Sequence, residues 1–256
     1  MANYDILGNI AIVKFVREEK NKDKKKFALD FLKKNKNVRT VLEKSERIKG
    51  RLRTFKTKYV AGEKTKEALY KENNCIFRLN VETCYFSPRL AGERREVAEQ
   101  VKKGENVLVM FGGVAPYAII VAKSSRARRV VSVEIGRDCN KYALENVKRN
   151  KLGNKVKIAQ GEVRKVINKK KEKFDRVIMA RPNLEDSFLD LAFSCIKKRG
   201  IIHYYGFYNE EKAGNLKGLI INEAKKARKK IKILKIKKAG DIGVKKFRYR
   251  ADIRVN

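Results

Sequence analysis

A short glycine-rich segment, Gly112-Gly113, follows an apolar run at Asn106–Phe111 that is typical of a β-strand. Small residues in such a turn let backbone N–H groups approach a ligand, and the N-terminus of the next helix favours negative charge. Acidic residues stand at the ends of the next two predicted strands, Glu134 and Glu162. A carboxylate at the second strand end can accept hydrogen bonds from both hydroxyls of a ribose. Because ligands of open α/β sheets bind at the carboxyl ends of the strands, these positions together predict a nucleoside-containing ligand.

The histidine and cysteine content excludes several kinds of site. His203 is the one histidine, so a zinc site with two histidines is excluded, and a Ser-His-Asp triad would have to use it. The four cysteines show no C-x-x-C spacing, which argues against a structural zinc site and for a reducing compartment. Because His203 lies in an apolar strand, we predict a buried histidine of the core or sheet end.

Strands and helices alternate from Asn106 onward. The predicted strands are Asn106–Phe111, Arg129–Ile135, Lys155–Ala159, Asp175–Ala180 and Gly200–Tyr205, and the helices between them lie near Tyr117–Ser125, Arg137–Asn150, Val163–Asn168 and Leu184–Lys197. Such alternation predicts a parallel sheet covered on both faces. After a helix near Asn209–Lys229, two consecutive strands close the chain and must pair antiparallel, or nearly so. This layout resembles the class I methyltransferase fold: an α/β, Rossmann-like, mostly parallel seven-stranded sheet with an antiparallel last strand.

The first eighty residues have a different pattern. Tyr4–Phe15 is apolar with a break at Gly8-Asn9, and a short helix follows with Phe27, Ala28, Phe31 and Leu32 on its inner face. Further strands are predicted near Thr40–Leu42, Leu52–Val60 and Cys75–Asn80, with a hairpin turn at Asn73-Asn74. We therefore predict a small β-rich α+β domain over residues 1–80 and the methyltransferase-like domain over residues 81–256.

The charge balance indicates a polyanionic partner. Lys and Arg number 65 against 29 Asp and Glu, which gives a net charge of +36. Such a charge opposes compaction by self-repulsion, so nucleic acid is the first candidate partner and an acidic membrane the second. The surface of a thermophilic protein is enriched in both Glu and Lys, whereas this chain contains far fewer Glu than Lys residues. No apolar run approaches the ~20 residues of a membrane span, and no secretory signal is visible.

Five segments resemble one protein family. Cys84–Val101 (CYFSPRLAGERREVAEQV) and Val109–Lys123 (VMFGGVAPYAIIVAK) are similar to signature segments of the tRNA guanine-37 N1-methyltransferases of archaea and eukaryotes, and of their relatives in wybutosine synthesis. Asp175–Pro182 (DRVIMARP), Gly200–Phe207 (GIIHYYGF) and Tyr4–Phe15 resemble further segments of the same proteins. The resemblance implies S-adenosylmethionine as the cofactor, the anticodon stem-loop of tRNA as the partner, and methylation of guanosine 37 at N1. The β-rich domain would then bind and position RNA. We further expect a cytoplasmic monomer that does not associate with membranes.

The resemblance also implies roles for individual residues. Glu93 would be the general base for the guanine N1 proton, and Arg53 would donate to the O6 atom. RNA contacts are implied for Tyr85, Arg89, Arg94 and Arg181. Cofactor contacts are implied for Phe111, Gly112, Gly113, Val114, Glu134, Ile135, Glu162, Val163 and Ala180. From spacing alone, Glu93 would instead be interpreted as a surface carboxylate paired with Arg89 one turn earlier.

The chain departs from the family pattern at four positions. Val109 replaces an acidic residue, Ala115 replaces the last glycine of the glycine-rich loop, and Ala180 replaces an asparagine that helps to hold the base, with Arg181 where the family has leucine. Two alternatives therefore stay open: an RNA-binding protein with a decayed methyltransferase site, and an aminocarboxypropyl transferase of wybutosine synthesis. The FSPR segment favours methyl transfer over the latter. The resembling proteins often carry a further domain for the tRNA elbow, for which 256 residues leave no room, so elbow contact through a partner protein is a third open question.

Overall fold

A computed structural model describes residues 3–16, 20–46, 50, 52–168, 171–181 and 183–256. Residues 1–88 and 89–256 form two compact units, called here the first and the second unit. Each unit has a hydrophobic core of its own. Among the described residues, no helix is both long and apolar enough to cross a membrane.

The first unit is built on a four-stranded sheet. Its elements are β1 (Asn3–Leu7), β2 (Ile10–Lys14), α1 (Asn21–Lys34), β3 (Thr40–Lys44) and β4 (Thr57–Gly62), with the strands in the order β1-β2-β3-β4. Only β2 and β3 run parallel, and the connection between them carries α1. Helix α1 buries Ala28 and Phe31 in the core, with Phe27 and Leu32 partly buried beside them. This is the inner face that the helical spacing predicts.

A hairpin completes the first unit, formed by β5 (Glu67–Glu72) and β6 (Cys75–Asn80). Its turn residues Asn73 and Asn74 both have left-handed backbones, with φ of 46° and 57°. Two such residues match the twist of the flanking strands, so the predicted turn is confirmed. The predicted strand at Leu52–Val60 is wrong at its start, because Arg53 also has a left-handed φ of 57° and its N–H donates to the carbonyl of Gly50 in a turn.

The second unit is an α/β sheet with helices. Its elements are α2 (Ala91–Glu99), β7 (Asn106–Met110), α3 (Pro116–Ser124), β8 (Arg129–Glu134), α4 (Arg137–Arg149), β9 (Val156–Gln160), α5 (Val163–Val166), β10 (Phe174–Met179), α6 (Leu189–Cys195), β11 (Ile196–Asn209), α7 (Gly214–Lys226), β12 (Ile231–Gly243) and β13 (Lys246–Val255). The strand order is β12-β13-β11-β10-β7-β8-β9. Strands β7 to β11 are parallel, and β13 is antiparallel to both of its neighbours. The predicted fold class is therefore confirmed.

The carboxyl ends and the amino ends of the parallel strands lie on opposite sides of this sheet, and these two sides are called here the carboxyl edge and the amino edge. The carboxyl edge consists of the loops that follow β7, β8, β9 and β10, and the amino edge consists of the residues that lead into β7, β8, β10 and β11. In sheets of this type, ligands bind at the carboxyl edge.

Strand β13 is covered on both faces. The alternation of apolar and charged residues from Phe247 to Val255 identifies the strand correctly, and its apolar residues enter the main core. The charged side chains of Arg250 and Asp252 are buried on the other face. Because these two charged side chains are shielded from water, they need partners inside the protein.

Candidate active site

The loop after β7 is fixed by its backbone conformation. Phe111, Gly113 and Ala115 all have left-handed φ angles, between 55° and 66°. A Cβ atom on Gly112 would lie 2.1 Å from the Oγ of Ser132, so a larger residue would have to displace the Ser132 side chain or shift the loop from β8. The first turn of the predicted cofactor site is thus set by steric fit between neighbouring strands.

Three of the four departures from the family pattern, Val109, Ala115 and Ala180, differ in their exposure. Val109 is fully buried within β7, and Ala115 is fully buried at the start of α3. A left-handed backbone at a residue other than glycine costs roughly 1–2 kcal/mol. Alanine in place of the family's glycine at position 115 therefore adds backbone strain to this loop. Ala180 is half-buried directly after β10, and of the three it alone is accessible at the carboxyl edge.

Glu134 holds two of the strand-end loops together. Its Oε2 accepts a hydrogen bond from the N–H of Gly113 at 2.9 Å, and its Oε1 accepts one from the N–H of Gly136 at 2.8 Å. The side chain of Ile135 next to it is 38% exposed, which leaves an apolar surface at the strand end. The carboxylate is therefore held in a fixed position beside an apolar surface.

The loop after β9 joins the same arrangement. The N–H of Gly161 donates to the backbone carbonyl of Glu134 at 2.8 Å. Glu162 caps α5 by accepting from the N–H of Arg164 at 2.8 Å, and Val163 is buried behind it. The structure thus brings together the three strand ends on which the nucleoside prediction depends.

Arg181, predicted to contact RNA, is turned into the protein and is 5% exposed. Its guanidinium donates to the backbone carbonyls of Leu184 and Asp186, and to the Tyr204 hydroxyl at 3.3 Å. Asp186 also accepts from Arg164 of α5 at 2.9 Å. Arg181 therefore holds the loop after β10 in place, and Asp186 of that loop contacts α5 through Arg164.

Glu93, the predicted general base, lies in the first turn of α2 and is 8% exposed. Its Oε1 accepts from the Tyr205 hydroxyl at 2.8 Å and from Arg250 at 2.6 Å. Its Oε2 lies 3.3 Å from the Nζ of Lys237. Burial raises the pKa of Tyr117 to about 12 and the pKa of Tyr205 well above its ordinary value. Both phenols therefore stay protonated, with Tyr117 donating to Tyr205 at 2.9 Å.

The ion pairs around Glu93 continue through β13. Arg250 also binds Glu96 at 2.7 Å and Asp252 at 2.9 Å. Asp252 contacts Nδ1 of His203 at 2.6 Å, and Arg176 contacts Nε2 at 2.7 Å. Burial lowers the pKa of His203, against the opposing effect of Asp252. His203 is buried, as predicted. The partners Arg250 and Asp252 were missed, because alternating apolar and charged residues are typical of a strand whose charged face is solvated.

The remaining predicted residues lie on both sides of the unit boundary. In the first unit, the Arg53 guanidinium lies over the ring of Tyr85, 4.1 Å from its centroid, a cation–π contact. Tyr85 is half-buried. In the second unit, Arg89 is exposed, whereas Arg94 is 2% exposed on α2.

Comparison with known families matches nearly the whole chain. The model of the TRM5/TYW2 methyltransferase domain matches residues 68–234, and the model of the TYW2 N-terminal domain matches residues 1–65.

Individual relatives agree with these matches. The tRNA (guanine(37)-N(1))-methyltransferase Trm5b of Pyrococcus abyssi is 40% identical over 205 residues, which are 80% of this chain and 60% of that protein. Its crystal structure superimposes with a TM-score of 0.88 at 36% identity, covering 99% of this chain and 74% of the crystallised one. The tRNA (guanine(37)-N(1))/4-demethylwyosine(37)-methyltransferase Taw22 of Nanoarchaeum equitans is 32% identical, with 98% of this chain and 99% of that protein covered. The crystal structure of Methanocaldococcus jannaschii Trm5 in complex with adenosine has a TM-score of 0.82 at 25% identity, covering 99% of this chain and 74% of that one.

The chain thus spans 60% of the length of one curated relative and nearly all of another. The matched methyltransferase model covers more than half of the chain by itself. Together with the fold and the glycine-rich carboxyl edge, these matches confirm the resemblance seen in the sequence: the chain belongs to the TRM5/TYW2 methyltransferase family.

Proposed function

We propose that this protein transfers a methyl group from S-adenosylmethionine to N1 of guanosine 37 in the anticodon loop of tRNA. The observation that carries the proposal is the Glu134 carboxylate, which is fixed at the carboxyl edge by backbone N–H groups of the loops after β7 and β8. The relatives named for this reaction support the choice of substrate. The test is a titration with S-adenosylmethionine and its demethylated product, followed by single-turnover methylation of a tRNA that carries guanosine 37.

The residues at the carboxyl edge fit the proposed cofactor. An ionised carboxylate offers about four lone-pair sites, and Glu134 uses two of them for Gly113 and Gly136. The other two are available for the hydroxyls of a ribose, and the exposed side chain of Ile135 suits the face of an adenine ring. The remaining proposed contacts lie along the same edge at residues 111–114, 162–163 and 180. When bound, the cofactor supplies an electrophilic methyl group on a sulfonium centre.

We assign proton removal to Glu93 and stabilisation of the guanine O6 atom to Arg53. The N1 proton must leave before N1 can attack a methyl carbon, so a base at N1 and a donor at O6 both lower the barrier. In Glu93, Oε1 is held by Tyr205 and Arg250 at 2.8 and 2.6 Å, whereas Oε2 has a longer contact with Lys237 at 3.3 Å, so Oε2 is the oxygen assigned to the proton. Arg53 is oriented by its contact with Tyr85.

RNA contacts are assigned by exposure. Arg89 is exposed and Tyr85 is half-buried, so both can reach a nucleotide. The side chains of Arg94 and Arg181 are buried, so any effect of these two residues on RNA binding is exerted through the elements that they hold. The proposal includes a monomer that acts in the cytoplasm.

Replacing Glu134 by alanine is expected to weaken the binding of S-adenosylmethionine by about 1–3 kcal/mol. This is the usual cost of losing hydrogen bonds to a charged group, and the loops after β7 and β8 lose their shared acceptor as well. Calorimetric titration measures the effect. Asp138→Ala, which removes an exposed carboxylate from α4, is the matched control and should bind as the parent does. Absence of heat from the parent at millimolar ligand would defeat the enzyme proposal.

Replacing Ala180 by asparagine is expected to raise single-turnover methylation by roughly 5–10-fold, because an amide can add one hydrogen bond of about 1 kcal/mol to the base. Arg181→Ala should lower the rate by about tenfold or more, since a displaced loop mispositions the base. Asn183→Ala, on the exposed part of the same loop, is the control. If the site has decayed, the parent is inactive and Ala180→Asn stays inactive with cofactor bound and tRNA saturating.

An aminocarboxypropyl transfer is the second candidate, and the match of residues 1–65 to the TYW2 N-terminal domain favours it. The two reactions share a cofactor but add groups of different mass to the nucleoside. Mass spectrometry of nucleosides from a reacted tRNA distinguishes them. A product heavier by one methyl group supports the proposal, and an aminocarboxypropyl adduct replaces it.

A further inference from the structure

A groove of about 850 Å³ lies at the amino edge of the second-unit sheet, opposite the proposed cofactor site. It is formed by the turn before β7, the start of β10, the bend in β11 and the carboxyl end of β13. Its lining includes six basic residues: Lys102, Lys103, Arg176, Lys198, Arg199 and Arg254. None of them has a role in the proposed methyl transfer.

The acidic residues in this groove are already paired. Glu105 binds the buried guanidinium of Arg176 at 2.7 Å. Asp175 accepts from Lys197 at 2.8 Å and from the backbone N–H of Asn106 at 2.8 Å. Within the part of the chain that the structure describes, the five other basic side chains have no acidic partner. The groove thus carries a local excess of positive charge.

The neighbouring loop extends this positive surface. The N–H of Gly104 donates to the carbonyl of Arg126 at 2.9 Å, and the N–H of Arg128 donates to the carbonyl of Glu105 at 2.9 Å. These bonds hold the loop before β8 against the turn before β7. Arg126, Arg128 and the adjoining Arg129 are all exposed. The cations therefore continue along the amino edge beyond the groove.

The backbone holds this surface in one shape. Arg199 has a left-handed φ of 64°. The following residue is Gly200, where an added Cβ would lie 2.9 Å from the carbonyl oxygen of Asp175. The Lys198–Arg199 bend is thus packed directly on β10. Because this backbone is ordered before binding, the conformational entropy lost when a ligand binds comes mainly from the Lys and Arg side chains.

We propose that the amino edge binds the phosphate backbone of an RNA stem, independently of the site at the carboxyl edge. No aromatic side chain lines the groove, so its described lining offers phosphate contacts and no stacking surface for bases. Contacts of this kind position RNA without reading its sequence. The choice of RNA as the polyanion rests on the proposed function. Strand β7 alone separates the two edges by about 17 Å, so the sites do not overlap.

The test compares two variants with the same loss of charge. The groove variant combines Lys102→Gln, Lys103→Gln, Lys198→Gln and Arg254→Gln. The control variant combines Lys148→Gln, Lys157→Gln, Lys212→Gln and Lys217→Gln, which are exposed lysines of the second unit outside the groove. Binding of a labelled RNA hairpin without an anticodon sequence is measured across a salt series. A double variant, Lys102→Gln with Lys103→Gln, covers the case in which the fourfold variant does not fold.

The groove variant is expected to reduce the slope of log affinity against log salt by roughly 3, at about 0.7–0.9 per lost contact. Its affinity near 100 mM salt should fall at least about tenfold, while the control variant stays close to the parent. Equal slopes in the groove and control variants would overturn the proposal.

Cofactor and rate measurements keep this proposal separate from the proposed function. The groove variant retains Glu134 and Glu93, so its binding of S-adenosylmethionine and its single-turnover rate at saturating tRNA should equal those of the parent. A groove variant that loses either one would point to a damaged second unit and count against a separate RNA site. If the parent does not methylate tRNA but its salt slope still falls in the groove variant, the proposed function is wrong and the proposed RNA site in the groove is supported.

Discussion

Replacing Glu93 by glutamine is expected to slow methyl transfer by about 10²–10⁴-fold while leaving tRNA binding unchanged. The amide has the shape of the carboxylate but cannot take up the N1 proton. Its carbonyl oxygen can still accept from Tyr205 and Arg250, which hold Oε1 in the parent, so α2 should keep its position. Single-turnover kinetics with saturating tRNA and cofactor measure the chemical step without product release.

Glu96→Gln is the matched control, because Glu96 lies one turn further along α2 and binds the same Arg250 and Lys237. It removes one negative charge from the same cluster without touching the assigned base. We expect its rate to stay near that of the parent. If both variants lose the same fraction of the rate, the charge of the cluster matters rather than a base at Glu93. If the rate of Glu93→Gln is unchanged, Glu93 has only a structural role.

Affinity for tRNA is expected to fall by about 10³–10⁵-fold between roughly 50 and 200 mM salt, if about 6–10 phosphates are contacted. The reason is the net charge of +36, since each phosphate that a Lys or Arg neutralises releases a condensed counterion. Filter binding or fluorescence anisotropy across a salt series gives the slope directly.

Binding of S-adenosylmethionine over the same salt range is the internal control, because a small ligand releases no counterions from a polyanion. A flat response for tRNA would mean that the positive charge does not serve RNA binding. It would then reflect adaptation to the conditions in the host cell.

The fold class could be predicted from the sequence, and so could the grouping of three residues of the proposed cofactor site. Carboxyl ends of parallel strands meet at one edge of a sheet, so Gly112, Glu134 and Glu162 could be placed together from the order of the elements. The left-handed turn at Asn73-Asn74 was equally predictable, because two asparagines between alternating strands carry a local signal. The start of β4 was predicted wrongly, although Gly50, whose carbonyl accepts from the N–H of Arg53, is a turn signal in the sequence.

The groups that surround Glu93 could not be predicted from the sequence. Its hydrogen-bond partners Tyr205 and Arg250 are 112 and 157 residues away in the chain, and a local pattern carries no information over such separations. The inward orientation of the Arg181 side chain could not be predicted from the sequence either. It depends on the conformation of the loop after β10, which turns the guanidinium toward backbone carbonyls. The ion pairs of Glu105 and Asp175 at the amino edge could not be predicted either. A salt bridge depends on which side chains the folded sheet brings close together.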